Sequence, residues 1–296
     1  MKSYLALLNS TFFTFSWRTH VRDPTWLQVT IWRSIKALPN LRHLTIHPAF
    51  SECPLDLHAL KELESITIFG TPRTGPEKFL DNLAKLCALS PKLTSLEVYH
   101  ERGRKVLTLH DLFHMRNNKS PPLQLRHLGL HSCSVRLDKV TLWHLRHLTS
   151  LNLKSNYVSP GFANSAGEFW RHFIGSGIHL QELKHDFITT SLIDYLSSYS
   201  GLKKLRLTVD ESDECLAVAD PFFNTCLLNH VDTLEELILI AHSVSSWNFC
   251  SNNSRGISKC AKLKLLAMTV PLYLGEETQW EFRDDNVVVS RILTMF

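Results

Sequence analysis

The stretch "LRHLTSLNLKSN", residues 145–156, decides the fold because its apolar residues follow one spacing that recurs along the chain. Written as LxxLxLxxN, the motif begins at Leu148 and ends at Asn156. Alternate side chains of a strand point to the same side, so Leu151 and Leu153 are predicted to be buried together. Leu145 falls outside the motif, and we assign it to a helix that precedes the strand.

The same spacing recurs in nine places. A close match begins at Leu125 and has Cys133 at the position of Asn156. An Asn or Cys at this position is predicted to bond the backbone of the neighbouring turn, whose polar groups would otherwise be buried without partners. The first residues of successive matches lie 22 to 32 positions apart, which overlaps the usual repeat length of about 20–29. These first residues are Leu41, Leu63, Leu93, Leu125, Leu148, Leu180, Leu202, Leu234 and Leu263.

Between the motifs the apolar period lengthens from two residues to that of a helix. "GPEKFLDNLAKLCAL", residues 75–89, places five apolar residues on one helical face: Phe79, Leu80, Leu83, Leu86 and Cys87. "DPFFNTCLLNHVD", residues 220–232, predicts a helix with Asp220 as N-cap and Pro221 at the first helical position. Repetition of strand, turn and helix predicts an α/β solenoid of about nine to ten repeats. It would be a right-handed horseshoe, with parallel strands on its concave face and helices on its convex face.

Three segments are expected along the chain. Residues 1–40 would be an N-terminal cap made of a degenerate repeat and a helix, because "STFFTFSW" (10–17) lies about one repeat before the first match. Residues 41–270 would be the repeat array, and residues 271–296 a C-terminal cap or a truncated last repeat. The last repeats place apolar residues between the motif leucines, and these are predicted to pack under the C-terminal segment: Ile238, Ile240, Leu265 and Ala267.

Composition argues against several classes of partner and location. A net charge of +4, spread along 296 residues, is too weak to predict binding to nucleic acid or to a membrane surface. No apolar stretch approaches the ~20 residues of a membrane span. The seven cysteines contain no CxxC pair, which indicates reduced thiols. Polar residues interrupt the apolar run near the N-terminus, which argues against a signal peptide. We therefore expect a cytoplasmic or nuclear protein that is not secreted.

The strongest candidate for chemistry is "HDLFH", residues 110–114, where His110 and His114 lie one helical turn apart. Zincin motifs have a glutamate where this stretch has Asp111, and no third ligand follows at a suitable position. Phosphate-binding glycine loops and nucleophile motifs are also missing. We predict no catalytic residue, no metal site and no cofactor. A metal-dependent enzyme that uses the two histidines remains the weakest alternative.

The phrases "LRHL", "LTSLNL" and "LEELIL" are similar to leucine-rich repeat proteins of the ribonuclease-inhibitor-like class, over roughly residues 40–270. Within that class the irregular repeats resemble fungal F-box and leucine-rich repeat proteins. The resemblance implies a non-catalytic scaffold for protein partners, and specifically the substrate-recognition part of an F-box-like SCF ubiquitin-ligase adaptor. A small-molecule-sensing receptor of F-box type is the alternative.

An F-box itself is not recognisable in the chain. Its LPxE-like opening, which docks on a Skp1-like adaptor, is matched only by "ALPNL", residues 37–41, and that stretch continues directly into the first repeat. A Skp1-like partner is therefore implied by the resemblance and not by docking residues.

Side chains between the motif leucines are predicted to point to the concave face and to bind a protein partner. Histidine and aromatic side chains dominate the first repeats and charged ones the middle, and both kinds suit partner recognition. The predicted partner-binding residues are His43, Thr45, His47, Phe69, Glu97, Tyr99, His100, His127, His131, Asn152, Lys154, Glu182, Lys184, Asp186, Lys204 and Arg206.

Overall fold

The structure is a computed structural model of the 296-residue chain. The described residues are 12–14, 24–38, 40–47, 56–60, 62–70, 76–99, 108–115, 121–133, 135, 137–154, 160–209, 212–241, 243, 245–270 and 289–291. The chain divides into two compact units, Met1–Ser165 (unit 1) and Ala166–Phe296 (unit 2).

Unit 1 contains a parallel sheet in which each strand pairs with the next one along the chain. Its strands are β1 (Phe12–Thr14), β2 (His43–Ile46), β3 (Ser65–Phe69), β4 (Ser95–Tyr99), β5 (His127–His131) and β6 (Ser150–Lys154). The register places equivalent motif positions side by side, so that Leu96 lies between Ile66 and Leu128. Burial alternates along β2, β3 and β4 as the motif predicts, with the motif side chains buried.

Helices and turns connect these strands, as the change of period predicts. They are α1 (Thr25–Lys36), a 3₁₀ turn (Leu57–Ala59), α2 (Pro76–Leu89), α3 (Leu109–Phe113) and α4 (Lys139–Leu145), and α5 (Pro160–Gly175) crosses the boundary between the units. Of the five residues predicted for the buried face of α2, Leu80 is partly exposed, and the other four are buried: Phe79, Leu83, Leu86 and Cys87. Asp138 precedes α4, and its Oδ1 accepts a hydrogen bond from the Thr141 N–H at 2.7 Å. Leu145 is the buried last residue of α4, as assigned from the sequence.

Unit 2 contains four parallel strands and one antiparallel edge strand. They are β7 (Glu182–His185), β8 (Lys204–Val209), β9 (Glu236–Ala241), β10 (Leu265–Met268) and β11 (Val289–Arg291). Its helices are α6 (Thr190–Ser197), α7 (Asp213–Ala217), α8 (Ala219–Pro221), a π-helical turn (Phe222–Cys226), a 3₁₀ turn (Leu227–His230) and α9 (Ser251–Ile257). Each of the nine motif matches forms one of the strands β2 to β10. The chain is an α/β leucine-rich repeat solenoid with about nine repeats.

One backbone feature repeats in both units and explains how successive repeats join. The carbonyl oxygen of Arg42, just before β2, accepts two hydrogen bonds, from the N–H groups of Glu64 and Ser65 at 2.8 and 3.0 Å. Equivalent carbonyl groups accept two such bonds at Glu64, Thr94, Arg126, Gln181, Lys203 and Glu235. Polar backbone groups before the strands are thereby satisfied by the next repeat, as burial requires.

The predicted helix start at Asp220 is wrong. The side chain of Ser212 caps α7 by accepting a hydrogen bond from the Cys215 N–H at 3.2 Å, and the helical segment continues through Asp220 and Pro221. The reason is that the buried face begins upstream, with Cys215, Val218, Ala219 and Phe222 at helical spacing.

Cys133, at the last position of the motif, bonds backbone carbonyl groups as predicted, but these belong to β4 and β5 and not to the neighbouring turn. Its thiol lies 3.4 Å from the carbonyl oxygen of His131 and 4.0 Å from that of Val98, and it donates to both. Burial raises the pKa of the Cys133 thiol to about 12, so it remains a neutral donor. Asn156, the corresponding residue of the next repeat, lies outside the described residues.

Two further expectations concern the ends and the thiols. β11 pairs with β10. Ile238 and Ile240 are partly exposed, and their packing under the C-terminal segment stays a prediction.

Cysteines in the described residues are free thiols: Cys87, Cys133, Cys215, Cys226, Cys250 and Cys260. Among the described helices, none has the length and apolar character that a membrane crossing requires.

A buried histidine in unit 2 links the end of α6 to the strand that follows it. Nε2 of His230 donates to the Leu196 carbonyl oxygen at 2.9 Å, and Nδ1 accepts from the Leu202 N–H at 3.4 Å. The imidazole is 2% exposed, and burial holds its pKa below the ordinary value. The neutral form is required because only a bare Nδ1 accepts the second bond.

We expect unit 2 to lose stability as the pH falls below the ordinary histidine pKa of about 6.5. In that range the unfolded chain binds a proton at His230 that the folded chain does not, so the free energy of unfolding decreases, by no more than about 1.4 kcal/mol for each pH unit. Urea unfolding of the wild type and of His230→Asn at several pH values tests this. The variant should be less stable at neutral pH and less sensitive to acid; an unchanged pH dependence would contradict the assignment.

Candidate functional site

One face of the unit 1 sheet carries the side chains that alternate with the buried motif residues, and we call it the open face. Strand pairing arranges these side chains in three columns that run across the strands. The described open-face residues are His43, Thr45, His47, Ser65, Thr67, Phe69, Ser95, Glu97, Tyr99, His127, Gly129, His131, Ser150, Asn152 and Lys154. The ten predicted partner-binding residues of unit 1 that the structure describes all lie here, whereas His100 lies outside the described residues.

Four aromatic rings stack into a continuous column on this face, which we call the ring column. His47 lies against Phe69 with ring centroids 4.5 Å apart, Phe69 against Tyr99 at 4.3 Å, and Tyr99 against His131 at 3.8 Å. The interplanar angles are 10°, 21° and 14°, so the rings are nearly parallel. Lys154 follows His131 in register on the next strand and is exposed. Parallel strands about 4.8 Å apart impose this spacing on equivalent side chains.

A carboxylate at the centre of the face holds two members of the column in place. Oε1 of Glu97 accepts hydrogen bonds from the Tyr99 hydroxyl at 2.9 Å, from Nε2 of His131 at 3.2 Å and from Nδ2 of Asn152 at 3.2 Å. Tyr99 and His131 belong to the ring column, and Asn152 lies two strands away from Glu97. The Glu97 side chain is 20% exposed and that of His131 is 9% exposed, so the cluster is largely sheltered.

These contacts determine the charge state of the cluster. The hydrogen bond from His131 has the largest effect on the pKa of Glu97 and lowers it. Burial raises this pKa, whereas the hydrogen bond from Tyr99 and the charge of His127 lower it further. Burial and then the hydrogen bond to Glu97 raise the pKa of Tyr99, so the phenol stays neutral. Glu97 is therefore an ionised acceptor, and the Tyr99 hydroxyl and the His131 ring N–H donate to it.

Gly129 provides the space in which Glu97 lies. It occupies the position of β5 directly between Glu97 on β4 and Asn152 on β6. A Cβ atom built at Gly129 would overlap Cγ of Glu97 and lie 3.0 Å from its Cδ. The glycine therefore allows the carboxylate to cross β5 and reach Asn152, and the bonds to Tyr99 and His131 depend on the same placement.

Among the described residues of unit 1, His127 and Ser150 form a contact of the kind made by a base and a nucleophile. Nδ1 of His127 lies 2.9 Å from Oγ of Ser150. A nucleophile and base of this type need a third group that orients the base. The nearby carboxylate of Glu97 directs its Oε1 to His131 instead of to His127. The pair joins β5 to β6 on the open face.

The five predicted residues of unit 2 form a charged patch on and beside β7 and β8. Nζ of Lys204 lies 3.7 Å from Oε1 of Glu182 and 3.3 Å from Oε1 of Glu236, on the strands to either side. Lys184 and Arg206 are neighbours in the next column, and Asp186 follows β7. The hydrogen bond to Glu236 and then the charges of both glutamates raise the pKa of Lys204. The ion pairs are exposed, so they contribute little stability.

Both histidines of the "HDLFH" stretch are exposed. His110 is exposed on α3, and its Nδ1 lies 2.8 Å from Oδ2 of Asp138, the residue that caps α4. His114 is exposed beyond the end of α3. Among the described residues, no group of three His, Cys, Asp or Glu side chains is placed to hold a metal ion.

Comparison with protein-family profiles finds no match for this chain, and comparison with curated proteins finds none either. Among solved structures the chain is similar to an internalin (inlF) from Listeria monocytogenes str. 4b F2365, with 14% sequence identity and a TM-score of 0.29. The similarity covers 78% of this chain and 68% of the internalin. At that identity and TM-score, the fold assignment rests on the repeats and strand pairings of this chain.

Proposed function

We propose that this protein is a non-catalytic scaffold that binds a protein partner through the open face of unit 1. The observation that supports it most is the ring column, which combines four stacked rings with a sheltered carboxylate that holds two of them. Side chains fixed in this way lose little conformational entropy when a partner binds. Aromatic residues are also the side chains that contribute most to protein interfaces.

Pull-down from cells that express the protein, followed by quantitative mass spectrometry, tests this function. Phe69→Ala removes the second ring of the column, and we expect it to weaken recovery of a specific partner about tenfold. The matched control is Leu89→Ala, which truncates a 50% exposed apolar side chain at the end of α2. Circular dichroism verifies that both variants are folded. Equal recovery with Phe69→Ala and wild type would contradict the proposal.

The finer proposal, that the scaffold reads substrates for an F-box-like SCF ubiquitin ligase, rests on the sequence resemblance alone. It predicts that a Skp1-like protein and a cullin are recovered together with the chain. Their absence would remove the ligase role and leave the scaffold unaffected. The charged patch of Glu182, Lys184, Asp186, Lys204 and Arg206 is proposed as a further contact surface on the basis of its exposed ion pairs.

A further inference from the structure

The way in which the rings stack determines what the column presents to a partner. Because the ring faces lie against one another, with centroids 3.8 to 4.5 Å apart, the inner faces are unavailable and ring edges are turned to the exterior. The edge of an aromatic ring carries the positive part of its quadrupole. Nucleobases need ring faces for stacking, so the column is poorly suited to single-stranded nucleic acid.

The two charged groups described on the open face differ in exposure, since the carboxylate of Glu97 is sheltered and the ammonium group of Lys154 is exposed. Among its described residues Glu97 is the only carboxylate, and its Oε1 already accepts three hydrogen bonds. Lys154 supplies an exposed ammonium group at the end of the column beside His131. The titratable and charged groups of this face are His43, His47, Glu97, Tyr99, His127, His131 and Lys154.

We infer that the open face of unit 1 binds an acidic segment of a protein partner, with its carboxylates placed along the ring column and against Lys154. The inference rests on the proposed function and names the chemistry of the partner. The ring edges and the exposed lysine favour carboxylate oxygens, and Oε1 of the one carboxylate among the described residues of the face already accepts three hydrogen bonds.

The test uses three synthetic fluorescein-labelled peptides that alternate leucine with glutamate, glutamine or lysine. Fluorescence anisotropy with the full chain measures their affinities at low salt. We expect the glutamate peptide to bind about tenfold more tightly than the glutamine peptide, since its carboxylates interact both with Lys154 and with the ring edges. Its binding should weaken in about 0.5 M salt, which screens exposed charge pairs.

A pair of charge variants localises the effect. Lys154→Gln should weaken binding of the glutamate peptide about threefold to fivefold, whereas Lys139→Gln, which removes an exposed lysine at the start of α4, should not. Equal binding of the glutamate and glutamine peptides, tighter binding of the lysine peptide, or no effect of Lys154→Gln would overturn the inference. Stronger competition by a phosphopeptide or by an oligonucleotide than by the glutamate peptide would overturn it as well.

The inference and the proposed function fail in different ways. If Phe69→Ala abolishes recovery of a cellular partner while no glutamate peptide binds, the scaffold function stands and the acidic preference is wrong. If neither the pull-down nor the peptides depend on the open face, both are wrong.

Discussion

Replacing Gly129 by alanine is expected to destabilise the protein by about 2 kcal/mol, although the same change is normally favourable in a strand. The added Cβ would overlap Cγ of Glu97, which crosses β5 at this position. Relief requires the carboxylate to move, and its hydrogen bonds to Tyr99, His131 and Asn152 would be lost or lengthened. Urea unfolding, read as a shift of the transition midpoint at constant slope, measures the loss.

A double-mutant cycle identifies Glu97 as the cause. Glu97→Ala removes each of the three atoms nearest to the added Cβ, so in that background Gly129→Ala should cost close to nothing. The coupling energy between the two sites is therefore expected to be about 2 kcal/mol. Gly175→Ala is the matched control, because a Cβ there meets no atom within 4 Å. An equal cost of Gly129→Ala in both backgrounds would show that Glu97 does not lie across the glycine.

Replacing Gly256 by alanine is expected to destabilise unit 2 by about 2 kcal/mol, against the usual gain of about 1 kcal/mol for this change in a helix interior. Gly256 lies in α9, and a Cβ at this position would be 2.5 Å from the backbone oxygen of Phe223. This oxygen is a backbone atom of the buried π-helical turn, so it cannot move away from the added Cβ as the end of a flexible side chain could. The clash therefore outweighs the helix propensity.

Hydrogen exchange with mass spectrometry locates the effect of Gly256→Ala. Protection should fall in α9 and in the turn Phe222–Cys226, and remain unchanged in the peptides of unit 1. Gly256→Ser is expected to be at least as unstable, because serine also places a Cβ at the contact and is a poorer helix former than alanine. A stabilised Gly256→Ala would mean that α9 packs less closely on Phe223 than the structure has it.

Strand positions and buried residues could be predicted from the sequence because both depend on local spacing. Leu148, Leu151 and Leu153 have the period of a strand with one buried face, and β6 has that burial. Similar spacing located every strand from β2 to β10. Asp220 shows where local signals fail, since the buried face that begins at Cys215 overrides a favourable N-cap and proline pair.

The sequence by itself determined the repeat, the class of fold and which side chains share the open face, because each follows from residues close together in the chain. The tertiary structure alone decided how those side chains meet. His47, Phe69, Tyr99 and His131 are 22 to 32 residues apart from one to the next, and only the pairing of parallel strands brings their rings into contact. The need for glycine at position 129 also comes from tertiary structure, since the side chain that occupies the space beside it is Glu97 of the preceding repeat.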